Sequence, residues 1–210
     1  MKFYDCAGAP SPRRVRIFMA EKGLDIAAQQ VDLRAGEQFS DEFRALNPGC
    51  TVPVLELDDG TAIHEAEAIS RYLEAAYPQP PLMGVTPVEQ ARVAMWEHHM
   101  EHDGFLAVAE AFRNQSSGFK GRALPGSHPV EQIAALVERG RQRYRNFLAD
   151  LDARLAQCEF VAGPAFTLAD ITALVTVDFA ARAIKIDVPS EHAHVRRWHQ
   201  AVSARDSAKA

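Results

Sequence analysis

The chain has 210 residues, 47% of them hydrophobic and 24% charged, with a net charge of −5; it suits one large domain or two small ones with an ordinary core. No stripe of Lys or Arg marks a nucleic-acid footprint, and no apolar run approaches the ~20 residues of a membrane span. Cys6, Cys50 and Cys158 are odd in number and form no C-x-x-C pair, which argues against disulfide frameworks and zinc ribbons and for a reducing compartment.

Lys2 to Asp5 reads as a short strand, and Met1-Lys2-Phe3-Tyr4-Asp5 lacks the apolar segment of a signal peptide. After Pro10-Ser11-Pro12, Val15, Phe18 and Met19 recur at helical spacing up to a Gly23 C-cap. Val31 and Leu33 mark a second strand, Phe39 to Leu46 a short helix, and Val52 to Leu57 a third strand. Asp58-Asp59-Gly60-Thr61 turns the chain into a returning strand at Ala62-Ile63. Glu65 to Tyr77 is helical, with Ile69, Tyr72 and Leu73 on one face. The order is βαβ, then ββα. Pro78, Pro80, Pro81, Gly84 and Pro87 then read as a linker. Beyond it the periodicity is helical: Val88 to Phe112, Val130 to Leu155, Thr167 to Ile184 and Ala193 to Ala204, with a loop over Gly118 to Pro129. The expected architecture is an α/β unit over 1–78, a linker over 79–86 and an all-α bundle over 87–210.

Several local patterns admit a structural and a chemical reading. Thr167-Leu168-Ala169-Asp170 is a capping box, flanked by Phe166 and Ile171 as a hydrophobic staple, and reads as a folding element. Ser11 before Pro12 reads first as an N-cap with proline at the first helical position; alternatively its hydroxyl faces a ligand anion at the helix start. Pro53 suits the first residue of a strand, or a cis-proline loop that leaves the Val52 backbone open to a peptide-like ligand. Glu65 is a first-turn acid, or with the N–H of Ala66 grips an ammonium–carboxylate pair. His98-His99-Met100-Glu101-His102 contains H-x-x-E-H, yet no third ligand is identifiable, so a wet helix face is the expectation and no metal is assigned.

Together these segments resemble the cytosolic glutathione transferase superfamily over nearly the whole chain. The carriers are Ser11-Pro12-Arg13-Arg14-Val15-Arg16, Asn47-Pro48-Gly49-Cys50-Thr51-Val52-Pro53-Val54-Leu55, Ile63-His64-Glu65-Ala66 through Leu73, and Phe160-Val161-Ala162-Gly163 through Asp170-Ile171. Phe3-Tyr4-Asp5 and Ile184-Lys185-Ile186-Asp187-Val188-Pro189 are similar to the bacterial branch related to the second yeast glutathione transferase.

The resemblance implies a thioredoxin-like first domain that binds glutathione as co-substrate and a helical second domain that binds a small hydrophobic electrophile. It implies a cytoplasmic homodimer engaged in detoxification, without nucleic-acid or membrane partners. Val52 would hold the glutathione cysteine backbone with Pro53 cis, Glu65 and Ala66 the γ-glutamyl end, and Gln38 and Thr51 the glycyl end. Ser11 would lie near the thiol, and Phe105, Val108 and Phe112 would line the second-substrate pocket. Three departures accompany the match: Ala9 stands where serine-type relatives place a catalytic hydroxyl, Ala66 where many carry serine, and Ala109 and Arg113 where the yeast-like branch holds a water with Ser and His. Rival readings are a glutathione-dependent reductase or dehalogenase on the same fold, and a non-catalytic glutathione-binding or scaffold protein.

Overall fold

The computed structural model describes residues 1–210. Strands β1 (Lys2–Asp5), β2 (Ala28–Gln30), β3 (Val54–Glu56) and β4 (Ala62–His64) form one sheet in the order β2-β1-β3-β4. Only the β1–β2 pairing is parallel, and the parallel step requires a crossover. Helix α1 (Pro10–Glu21) supplies it, burying Val15, Ile17 and Phe18. Helices α2 (Asp41–Leu46) and α3 (Ala66–Ala76) complete this half.

No strand follows β4. The remainder comprises α4 (Pro87–His99), a π-helical segment at Met100–Phe105, α5 (Leu106–Gln115), α6 (Ala134–Leu155), α7 (Leu168–Ala183) and α8 (Ala193–Ser203). A core of buried side chains runs without a break from Phe3 on β1 through α7 to Trp198 on α8. Helix α7 is buried on nearly every face, as expected of a helix apolar all round. Its start is the expected capping box: the Asp170 carboxylate accepts from the backbone N–H of Val161 and Thr167 and from the indole of Trp198, at 2.9, 3.0 and 2.9 Å.

Four expectations are corrected. The second strand is Ala28–Gln30, not Val31–Leu33, because an exposed polar edge strand carries no apolar alternation. The long helix after the linker is interrupted by π geometry, where Gly104 allows close approach to the Phe147 ring and Arg143 bonds the His102 carbonyl at 2.7 Å. Helix α6 starts at Ala134 rather than Val130, because Val130 pairs with the preceding loop through the Ala123 N–H and the Gly121 carbonyl. Ser11 is not an N-cap: α1 begins at Pro10 with Ala9 as the cap residue. Proline suits the first helical position because its ring presets φ and the missing N–H is an orphan there.

The linker residues are held from the sheet half. The Lys22 ammonium, fully buried, donates to the Tyr77 and Pro80 carbonyls at 2.7 and 2.8 Å and pairs with Glu74 at 2.6 Å. Glu74 in turn accepts from the backbone N–H of Leu82 and Met83, both at 3.0 Å.

Gly140 sits inside α6 where that helix meets α5. A Cβ there would lie 2.7 Å from the Ala107 carbonyl oxygen and 2.8 Å from the Ala111 nitrogen. In an open helix Gly→Ala gains about 1 kcal/mol; here the collision is with backbone, which cannot rotate away. Gly140→Ala is expected to lower stability by ~1–3 kcal/mol, read as a reduced urea midpoint at unchanged slope. A gain in midpoint would show that α5 and α6 are less closely packed than described.

Glu97 on α4 is 3% exposed. One carboxylate oxygen accepts from the Thr172 hydroxyl at 2.7 Å and the other has no partner. Burial pushes its pKa from the ordinary 4.5 up to about 8, against the pull of the Arg14 charge. The folded state thus holds this proton more tightly than the unfolded chain, so stability from this site is full below about 4.5 and is lost as pH rises toward about 8. Glu97→Gln mimics the neutral acid and removes the dependence. Relative to the unmodified protein, the variant should gain in Tm progressively between pH 5 and pH 9. A difference in Tm that stays constant across that range would contradict a buried neutral acid.

Candidate functional site

The sheet register gathers three loops at one end. Tyr4 lies opposite Val54, and Val54 opposite His64. The residues just past the end of β1, just before β3 and just after β4 are therefore neighbours. These are the loop Cys6–Ala9 that enters α1, the turn Thr51-Val52-Pro53, and Glu65-Ala66 at the start of α3. The loop after β2, which holds Gln38, leaves the sheet at the same end because β2 runs parallel to β1.

Each position there is held in an unusual state. The Val52–Pro53 bond is cis, and neither the N–H nor the C=O of Val52 is hydrogen-bonded within the chain. Thr51 is fixed by Asn47, whose amide donates to its carbonyl and hydroxyl at 2.9 and 3.1 Å. Glu65 adopts φ 74°, ψ 128° at the cap of α3, a conformation that costs a side-chain-bearing residue ~1–3 kcal/mol. Its carboxylate is exposed, while Ala66 behind it is buried. Gln38 is 6% exposed, and its side-chain carbonyl oxygen has no partner. An unpaired buried acceptor costs ~1–3 kcal/mol.

Helix α1 points its start toward this group. Pro10 and Pro12 carry no N–H, so Ser11 supplies the first free backbone donor of the helix. The half-buried Ser11 hydroxyl accepts from Arg14 at 3.2 Å. Beside it a cleft of about 120 Å³ is lined by Pro10 and Arg13 of α1 and by Val175, Asp178, Phe179 and Arg182 of α7. Asp178 pairs with Arg13 at 2.6 Å and with His199 at 2.8 Å. Burial works against its charge, but these two partners outweigh it and hold its pKa below the usual carboxylate range. Arg182 bonds the Gly8 carbonyl at 3.0 Å across the cleft mouth.

The expected second-substrate residues fall less evenly. Val108 is fully buried and Phe105 is 6% exposed; both are packed as core. Phe112 is half-buried, with its ring against Phe119 and Phe179 at 5.2 and 5.4 Å, and so lies one side chain away from the cleft. Ala109 is half-buried on the same helix. Arg113 turns instead to the loop after α5, donating to the carbonyls of Arg122, Ala123 and Leu124; burial lowers its pKa to about 10. The rings of His98 and His102 stack 5.4 Å apart, and no cluster of three metal-ligating side chains forms there or elsewhere. No helix is long and apolar enough to cross a membrane. Sequence reasoning assigned no part to Arg14, Asp178 and His199. Consecutive arginines at a helix start were the available signal for Arg14; Asp178 meets Arg13 from 165 residues away, with no local pattern to announce it.

Comparison with known proteins converges on one family. Residues 9–76 match the profile described as glutathione S-transferase, N-terminal domain, and residues 96–206 the corresponding C-terminal domain. The chain is 36% identical over 214 aligned positions to glutathione S-transferase 2 of Saccharomyces cerevisiae, covering 100% of this chain and 88% of that protein. The crystal structure of a glutathione S-transferase domain-containing protein from Marinobacter aquaeolei superposes with a TM-score of 0.92 at 38% identity, covering 99% of both chains. That of a Gtt2-class glutathione S-transferase from Vibrio parahaemolyticus superposes with a TM-score of 0.84 at 35% identity, covering 99% of this chain and 94% of that one. With a four-stranded sheet carrying a cis-proline turn, a helical second half and a capping box at the head of its buried helix, the chain belongs to the glutathione S-transferase family.

Proposed function

We propose that the protein joins the thiolate of glutathione to small hydrophobic electrophiles. The observation that carries this reading is the unpaired Val52 backbone, set between the strained Glu65 and the start of α1. Such a backbone can pair in β fashion with the cysteinyl unit of a tripeptide. The Glu65 carboxylate and the first N–H groups of α3 suit the ammonium and carboxylate of a γ-glutamyl group. Gln38 and Thr51 would approach the glycyl end. The sulfur would then sit at the start of α1, where the helix dipole favours an anion.

In the reaction the glutathione thiol releases its proton to solvent. The sulfur pair attacks the electrophilic carbon, a C–S bond forms, and a leaving group such as chloride departs with its bonding pair. The cleft between α1 and α7, with Phe112 behind Phe179, would receive the electrophile. At about 120 Å³ it is smaller than the ~300–1,000 Å³ of a drug-sized site, which favours compact substrates. In this reading residues 1–78 carry glutathione, 87–210 carry the electrophile site, and 79–86 join them. The assembly is a cytoplasmic homodimer serving detoxification; the exposed apolar Val88 and Met95 on α4 suit a contact with a second copy.

Glu65→Ala tests the pocket. A hydrogen bond to a charged group is worth ~1.5–3 kcal/mol, whereas an exposed helix-cap residue contributes little to folding. Glutathione affinity by calorimetry should fall at least about tenfold, with the thermal midpoint within about 2 °C of the unmodified protein. Turnover of a chlorinated nitroaromatic with glutathione should fall in parallel. Unchanged affinity would place the γ-glutamyl end elsewhere, and binding without turnover of any electrophile would replace the transferase reading with a binding protein.

A further inference from the structure

The mechanism above leaves unused a buried cation one helical turn behind the thiol position. Arg14 is only 5% exposed, an unusual place for a guanidinium. One terminal nitrogen pairs with Glu101 of the π segment. The other donates to the Ser11 hydroxyl at 3.2 Å. The plane of the group lies over the Phe105 ring, 4.4 Å from its centroid. Its Nε is buried without a partner, as is the second oxygen of Glu97, whose titration feels the Arg14 charge directly.

A serine hydroxyl has one proton and two lone pairs. Arg14 is donor-only, so in this contact Ser11 Oγ accepts, and its proton must point away from Arg14. Ser11 makes no other side-chain hydrogen bond, and with proline on both sides it also carries the first free N–H of α1. We propose that Arg14 is a positioning residue: held by Glu101, it locks the Ser11 hydroxyl as an acceptor from behind and thereby turns the Ser11 proton toward the glutathione sulfur. The π segment has a part in this, since Glu101 is its second residue and reaches α1 from there. The inference rests on the reading that glutathione sulfur lies at the start of α1. No proton passes through Ser11; it donates a hydrogen bond to the thiolate, and the thiol proton leaves to water. The charged groups acting on Glu97 and Arg14 are Glu101, beside both, and Glu67 of α3, whose charge also reaches Glu97.

The test measures the pKa of the bound thiol by the ultraviolet absorbance of its thiolate, with glutathione affinity measured separately by calorimetry. Lysine is a point charge and cannot serve Glu101 and Ser11 at once. Arg14→Lys should therefore raise the thiol pKa by about one unit, a roughly tenfold loss of thiolate below the pKa, while affinity changes less than about threefold. Ser11→Ala should give a similar shift, and the double variant no more than Ser11→Ala alone, because both act through one hydroxyl. Glu101→Asp, which keeps the charge but is too short to anchor Arg14, should give a smaller shift in the same direction and serves if Arg14→Lys does not fold. An unchanged thiol pKa in Arg14→Lys or, where that variant does not fold, in Glu101→Asp overturns the proposal. So does a shift from Arg14→Lys that persists in full on the Ser11→Ala background. If the unmodified protein binds no glutathione, the underlying reading fails and the proposal falls with it; if it binds and only the pKa pattern is missing, the failure belongs to Arg14 alone.

Discussion

Helix α1 is charged the wrong way round for an isolated helix. Its macrodipole is positive at the N-terminus and negative at the C-terminus, yet Arg13 and Arg14 stand near the first end and Glu21 occupies the last position, with no acid in the first turn and no base in the last. Such charges, partly or wholly buried, are tolerable only when paired. Every partner comes from the helical half or its tail: Asp178 for Arg13, Glu101 for Arg14, and Arg205 with Ser207 for Glu21. The seam between the two halves is therefore an electrostatic fit along α1, laid over an apolar contact.

That arrangement bears on chemistry because the start of α1 is also where the sheet end gathers its loops. Two prolines strip donors from the helix start, and its two arginines are each paired with an acid of the helical half. Ser11 is left as the residue there that offers both a backbone N–H and a hydroxyl. On the proposed function, a thiolate held there would be stabilised by the helix dipole and the Ser11 donors, without a dedicated tyrosine or cysteine.

The element order, the capping box at Thr167–Asp170 and the family were legible in the sequence because each has a local signature: apolar periodicity, a four-residue spacing, or a motif in fixed order. Val52, Pro53 and Glu65 stand out in the sequence only as a proline at a strand start and an acid at a helix start; a cis bond and a positive φ at a glutamate leave no pattern in composition. What was misread depends on tertiary context. Ser11 follows the N-cap rule well, but Pro10 satisfies the first helical position better and moves the helix start back by two residues. Val108 has the same apolar character as a pocket wall; only its full burial between helices distinguishes core from lining. The edge strand at Ala28–Gln30 is polar and exposed on both faces, so no period-two signal exists to find.

The pairing along α1 also limits how this protein can diversify. A helical half taken from a relative would have to bring an acid at the place of Asp178, another at the place of Glu101 and a base at the place of Arg205, or leave charges stranded against α1. The clasp of Lys22 and Glu74 over the connecting segment adds a further condition on how long that segment can be. The halves are thus poor candidates for shuffling as interchangeable cassettes. The side chains around the α1–α7 cleft, such as Val175 and Phe179, and Phe112 behind them carry none of these charges and can change without disturbing the pairs that keep the halves in register.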